Sequence, residues 1–233
     1  WKLSWPHSGN IIGETQDYKC IAARRIQLIG QVNNVLSTFG KLNPITKNHL
    51  LFKLCSSLYD LVTWNLLHPE TNRVCTSWRV ALRRIWHLPP NSHNDVVSAL
   101  GSNRNMFDEL CHRTLKFIMF CLSNHNSNST VNFIVRNSLF FCRSLSPLGR
   151  NFVFISQRYN IRPSHICDPT NCSSIMSNFN NFCAIQFEKI CNPSFLFLVE
   201  TLMLRNNLLN FDPAYVSLSV AELNDIIVVL CTQ

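Results

Sequence analysis

Apolar residues recur most regularly between Val74 and Ile85. Wound at about 100° per residue, Val74, Trp78, Ala81, Leu82 and Ile85 fall within one arc roughly 100° wide. Arg73, Arg79, Arg83 and Arg84 fall on the opposite side. This pattern predicts an amphipathic helix over 72–88 that seeks a core with one face and anions with the other. Pro89 and Pro90 are expected to stop it, because proline lacks an N–H and restricts the residue before it. Ser92 and Asp95, ahead of Val96-Val97, read as the capping box of the next helix.

The same period extends along most of the chain. Ile21, Leu28/Ile29, Val32, Val35/Leu36 and Phe39 predict a helix from Asp17 to Phe39, stopped by Gly40. Asn43-Pro44 reads as N-cap and first residue of a helix striped by Leu50/Leu51, Leu54, Leu58 and Leu61/Val62. Gly101 ends another short helix. Phe107, Leu110/Cys111, Leu115 and Ile118 mark the one after it, and Val131–Cys142 and Ser146–Tyr159 give two more. The polar run Asn124–Thr130 reads as a loop, and Asp168–Asn181, rich in Asn and Ser, as a linker. Pro193–Leu209 and Ser219–Cys231 are expected to be helical. Residues 1–16 hold two short extended pieces punctuated by Gly9 and Gly13, a hairpin pattern. The fold class is therefore mainly α: a helical bundle, a second helical region and a short extended segment at the N-terminus.

Charge changes the picture. Residues 1–90 carry 11 Lys/Arg against 4 acids, 91–165 carry 8 against 3, and 166–233 carry 2 against 6. A basic front favours a polyanionic partner, nucleic acid ahead of an acidic membrane. Between Arg73 and His93 there is neither lysine nor acid. Arginine's planar fork suits phosphate, and this stretch supplies no carboxylate to occupy it. Arg24 and Arg25 stand early in their helix, where the macrodipole does not favour cations, which hints at an external anion. Lys41 follows the same helix. His93 reads equally as a phosphate-side histidine or one satisfied in the core.

Eleven cysteines cannot all pair within one chain, and Cys55, Cys75, Cys111 and Cys121 sit singly in apolar runs, as small hydrophobes. Trp1-Lys-Leu-Ser-Trp-Pro has no signal-peptide core, so a reducing intracellular compartment, nucleus or cytoplasm, is expected. No uncharged run reaches about 18 apolar residues, so no membrane partner is expected. The first methionine is Met106, and the chain opens on Trp1 in mid-pattern, as a piece of a longer polypeptide would.

Candidate chemistry is sparse. There is no Asp-Asp pair to hold catalytic metals, and Asp108-Glu109 suits the first turn of a helix. Ser92-His93-Asn94-Asp95 is the only string that suggests a hydrolase, but neighbours along a helix do not face one another. His165, Cys167, Cys172, Cys183 and Cys191 form the only candidate metal set. They lack the close pairing of zinc ligands, so neither metal nor cofactor is expected.

Several stretches resemble the thumb and following region of LINE-type (non-LTR) retrotransposon reverse transcriptases. They are Ile29–Leu42, Leu51–Trp64, Trp78-Arg79, Leu82-Arg83-Arg84-Ile85-Trp86, Leu88-Pro89, Ser92-His93, Leu148–Phe152 and Arg158-Tyr159-Asn160. His7-Ser8-Gly9 resembles the turn at the end of that family's palm. Ser92 stands where the family often has Thr, Asp60 where it usually has Gly, and Ser8 where it usually has Leu. The resemblance covers roughly residues 5–165. It implies segments 1–16 (end of the palm), 17–90 (thumb-like) and 91–165 (post-thumb), to which the composition adds 166–233 (linker and C-terminal helices). It also implies a non-catalytic part of an RNA-directed DNA polymerase that grips the RNA and DNA of a primer–template duplex, with the palm and fingers of the same polyprotein upstream. Arg24, Arg25, Lys41, Arg73, Arg79, Arg83, Arg84 and His93 are the candidate nucleic-acid contacts. The alternative is a helical protein-interaction module, a domesticated or decayed element whose arginine face meets an acidic partner.

Overall fold

The computed structural model describes residues 4–7, 10–13, 17–58, 61–92, 94–101, 104–123, 130–141, 145–166 and 171–190. The chain is mainly α-helical. Strands β1 (Ser4–His7) and β2 (Asn10–Gly13) pair antiparallel, with His7 opposite Asn10. Among the described residues nine helices follow: α1 (Asp17–Thr38), α2 (Pro44–Cys55), α3 (Pro69–Ile85), α4 (Asn94–Gly101), α5 (Met106–Ser123), α6 (Thr130–Phe140), α7 (Pro147–Arg158), α8 (Pro163–Ile166) and α9 (Cys172–Ile190), with a 3-10 turn at Leu61–Thr63. The expected helices in 193–209 and 219–231 and the loop 124–129 lie outside the described residues.

The helices form two compact units that are discontinuous in sequence. One comprises Trp1–Arg25, Leu58–Cys75 and Met106–Ala184, and the other Ile26–Ser57, Thr76–Asn105 and Ile185–Gln233. Helices α1 and α3 therefore each contribute their first turns to the first unit and their remainder to the second.

In the first unit, Leu110, Leu115 and Ile118 of α5 are fully buried, with Trp64, Leu66, Phe152 and Ile155. Asn151, also fully buried, donates from its amide to the Trp64 carbonyl (2.6 Å) and accepts from the Leu66 N–H (2.9 Å). One α7 side chain thereby satisfies two backbone groups of the turn that follows the 3-10 segment. Asn132 of α6 serves α5 similarly, donating to the Cys121 carbonyl at 3.0 Å. Ser146 caps α7 by accepting from the Gly149 N–H at 2.8 Å, with Pro147 at the first position.

In the second unit, Leu28, Val32 and Val35 of α1, Leu51 of α2 and Trp78, Leu82 and Ile85 of α3 are buried with Val97 and Leu100 of α4. Phe52 meets Trp78 edge-on, ring centroids 4.9 Å apart. Asn43 caps α2 as expected, accepting from the Thr46 N–H at 2.8 Å. Asn48 donates to the carbonyls of Gly101 (3.1 Å) and Leu100 (3.4 Å), closing the end of α4. A Cβ on Gly101 would meet the Leu82 side chain at 2.7 Å, so this helix end needs glycine for a close approach.

Several boundaries differ from the sequence pattern. Helix α2 ends at Cys55 rather than running on to Val62, leaving Leu54 exposed. Helix α3 begins three residues earlier than expected: His68 precedes Pro69, and its Nδ1 accepts from the Glu70 N–H at 3.1 Å. It also ends before the prolines. His87 takes φ +52°, and the Leu88 N–H reaches the Arg83 carbonyl at 2.9 Å, a left-handed C-terminal cap with histidine where glycine is usual. Helix α7 ends in the same way at Asn160. Of the expected Ser92–Asp95 capping box, the Asp95 side chain lies outside the described residues. The Ser92 hydroxyl donates to the Pro89 carbonyl at 2.8 Å, and α4 begins at Asn94. The linker expected over Asp168–Asn181 is instead largely helix α9. Its buried residues Ile175, Phe179, Cys183 and Phe187 recur every four positions, while most of the Asn and Ser residues between them are exposed or half-buried.

Replacing Asn151 with Ala should orphan a buried N–H and a buried carbonyl together. The expected loss is about 2–4 kcal/mol of stability in a denaturant melt. A loss within error of zero would show that the tie is dispensable.

Candidate nucleic-acid interface

The buried arc of α3 fixes what its other face displays. Val74, Trp78, Ala81, Leu82 and Ile85 are each at most 2% exposed, and of the arginines on the rest of the helix Arg84 is exposed while Arg79 and Arg83 are half-buried with their Nε atoms buried. Each guanidinium is held by a neutral acceptor. Arg79 Nη2 donates to Thr76 Oγ1 at 3.1 Å, and Arg84 Nη1 donates to Asn33 Oδ1 of α1 at 2.7 Å. Arg83 Nη2 donates to the Ser92 carbonyl (2.7 Å) and to Asn94 Oδ1 (2.8 Å). Among the described residues no carboxylate pairs with these three. Neutral acceptors order a guanidinium without cancelling its charge, and they leave most of its five N–H donors unspent.

Arg25 and Arg73 belong to the first unit, and both meet an acid. Glu70, 9% exposed, pairs through Oε1 with Arg73 Nη1 and lies 3.8 Å through Oε2 from Arg25 Nε. The acid-free stretch of sequence begins only after Arg73, and the partner stands three residues before it, one turn of helix away. Arg24 is half-buried on α1 of the same unit. Lys41 is exposed in the turn after α1 in the second unit. His93 lies outside the described residues. The structure thus ties Arg79, Arg83 and Arg84 to neutral acceptors and places Arg25 and Arg73 around a carboxylate. Asn33, Asn94 and the Ser92 carbonyl, which position the arginines, carry no sequence signal of their own, since Asn33 meets Arg84 from 51 positions away.

Beside this face, Ile29, Val32, Thr76, Ser77, Val80, Ala81 and Arg84 line a shallow pocket of about 170 Å³. Ile29 and Val80 are 38% and 47% exposed.

The acids of α5 are engaged in structure. Asp108, 4% exposed, accepts from the Tyr159 hydroxyl at 2.6 Å and from Arg158 Nη2 at 3.3 Å. Glu109 pairs with Arg113 at 2.7 Å. Burial pushes the neighbouring Cys111 thiol up to about 12, so it stays protonated and is no nucleophile at neutral pH. Burial likewise raises Tyr159, with Cys111 and Asp108 adding in the same direction. Of the candidate metal set, Cys172 and Cys183 share α9 eleven positions apart, roughly 16 Å of helix rise. Among the described residues no group of three or more His, Cys, Asp or Glu is placed to hold a metal ion. Nor, among them, is any helix long and apolar enough to cross a membrane.

Compared with protein-family models, curated proteins and solved structures, the chain matches none.

The Asp108–Tyr159–Cys111 cluster predicts an alkaline weakness. An unfolded Cys111 ionises near its ordinary 9.0 while the folded one holds its proton to about 12. The unfolded state therefore releases the proton first, and stability should fall as pH rises through that window. Tyr159 acts in the same sense above its ordinary 10.0. Thermal melts across this range should show the decline, and Cys111→Ala should remove part of it. Melts of wild type and variant that run parallel would refute the assignment.

Proposed function

We propose that the second unit binds the phosphate backbone of a nucleic-acid duplex through the arginine face of α3. On this reading the chain is a non-catalytic thumb-and-beyond portion of a LINE-type reverse transcriptase, and the duplex is its RNA–DNA primer–template. The observation that carries the proposal is the set Arg79, Arg83 and Arg84, ordered by neutral acceptors with no carboxylate partner among the described residues. Phosphate contacts of this kind position a duplex without reading its bases. The resemblance around Trp78–Trp86 and the excess of base over acid in residues 1–90 support the same reading.

One observation favours the alternative, a protein-interaction surface. The pocket lined by Ile29, Val80 and Arg84 offers apolar contact beside a cation, which suits an acidic protein segment with an apolar anchor.

A salt titration of duplex affinity separates the two. The Arg83→Gln/Arg84→Gln variant should bind an RNA–DNA duplex more weakly, by a similar factor for every sequence. For every phosphate that an arginine no longer neutralises, the plot of log affinity against log salt should flatten by roughly 0.7–0.9. A denaturant melt should show that the variant remains folded. Unchanged affinity in a folded variant would exclude the backbone reading and favour the protein surface.

A further inference from the structure

The first unit carries a second basic concavity, built from other elements. Asn160, Ile161, Arg162, His165, Asn171, Ser174, Ile175 and Asn178 line a pocket of about 130 Å³. Ile161 and Ile175 are buried at 6% and 4% exposure, while Arg162, His165, Ser174 and Asn178 are exposed. The turn that shapes it is defined. Asn160 holds φ +52°, the Ile161 N–H reaches the Ser156 carbonyl at 2.9 Å, and the His165 N–H reaches the Arg162 carbonyl at 3.1 Å. The chain is thus bent tightly between α7 and α8, and Arg162 and His165 line one cavity with the start of α9.

We propose that this pocket binds a phosphate group. Its described lining residues combine a permanent cation, an imidazole that can donate in either protonation state, and hydroxyl and amide donors, with no acid among them. Arg162 forms no ion pair among the described residues, and its fixed guanidinium repels the metal cation that a lone His165 would attract. Ser174 in the first turn of α9 and Asn171 just before it border the pocket, and the helix dipole adds potential of the same sign. Ligand pockets for whole drug-sized molecules run to about 300–1,000 Å³. A cavity of this size takes a phosphate group and leaves whatever bears it outside. Free inorganic phosphate and the monoester of a nucleotide share this chemistry. The pocket shares no residue with the arginine face of α3, so the two proposals stand or fall separately.

The test is calorimetric titration of the full chain with inorganic phosphate, adenosine 5′-monophosphate and adenosine, with chloride as the control. Phosphate should bind saturably and chloride should not. Arg162→Gln should weaken phosphate by about ten-fold or more, through removal of a charge-assisted hydrogen bond. Asn178→Asp, which places a carboxylate in the lining without changing its shape, should abolish binding while the thermal melt stays unchanged. Nucleotide binding tighter than phosphate, with adenosine silent, supports the site and assigns it to a monoester. Equal affinities support it as a site for the free anion. Phosphate binding that is absent, or that is the same in Arg162→Gln and Asn178→Asp as in wild type, overturns the proposal. So does stoichiometric zinc bound through His165.

Discussion

Burial along one side of α3 constrains the rest. Thr71, Val74, Cys75, Trp78, Ala81, Leu82 and Ile85 are all at most 2% exposed, and each large apolar side chain so buried contributes roughly 1.5–3 kcal/mol. A helix with that much committed surface has no rotational freedom left. Arg79, Arg83 and Arg84 therefore keep their side of it whatever binds there, and the neutral groups at Thr76, Asn33, Ser92 and Asn94 set their direction. The thread from sequence to surface is short here: an apolar period fixes an orientation, and the orientation places charge.

Asparagine does much of the polar work in the interior. Asn48 closes α4, Asn132 closes α5, and Asn151 satisfies the turn at Trp64–Leu66. A chain with only 15% charged residues has few ion pairs to use for such joints. A buried amide offers two donors and an acceptor without the desolvation cost of a charge, so it suits carbonyls stranded at helix ends. Where charge is buried it is surrounded, as at Asp108 between Tyr159 and Arg158.

The helical class and most helices are legible because their apolar residues repeat at 3.6 positions, and the cap at Asn43 follows from local chemistry. What escapes is of two kinds. Helix α9 is masked by composition: a stripe of one apolar residue in four is easily hidden among Asn and Ser. At the end of α3, Pro89 is the stronger local signal, although a left-handed His87 has already closed the helix. For the candidate site, the two-faced character of α3 reads directly from its period. The division of its arginines does not, because the acid beside Arg25 and Arg73 and the amide beside Arg84 depend on which helices meet.

The discontinuous units bear on how this molecule can be taken apart. Because α1 and α3 each belong partly to both, no single cut between Ile26 and Asn105 releases one unit whole. Deletion past Arg25 from the N-terminus, or past Ile185 from the C-terminus, removes segments of both, so such a truncation that abolishes an activity says nothing about which unit held it. A loop-bridged version joining 26–57 directly to 76–105 is the smallest rearrangement that would isolate the described helices of the second unit lying between Ile26 and Asn105. Mapping by fragments, the usual first step with a helical protein, is the wrong instrument for this topology, and single-residue replacement is the right one.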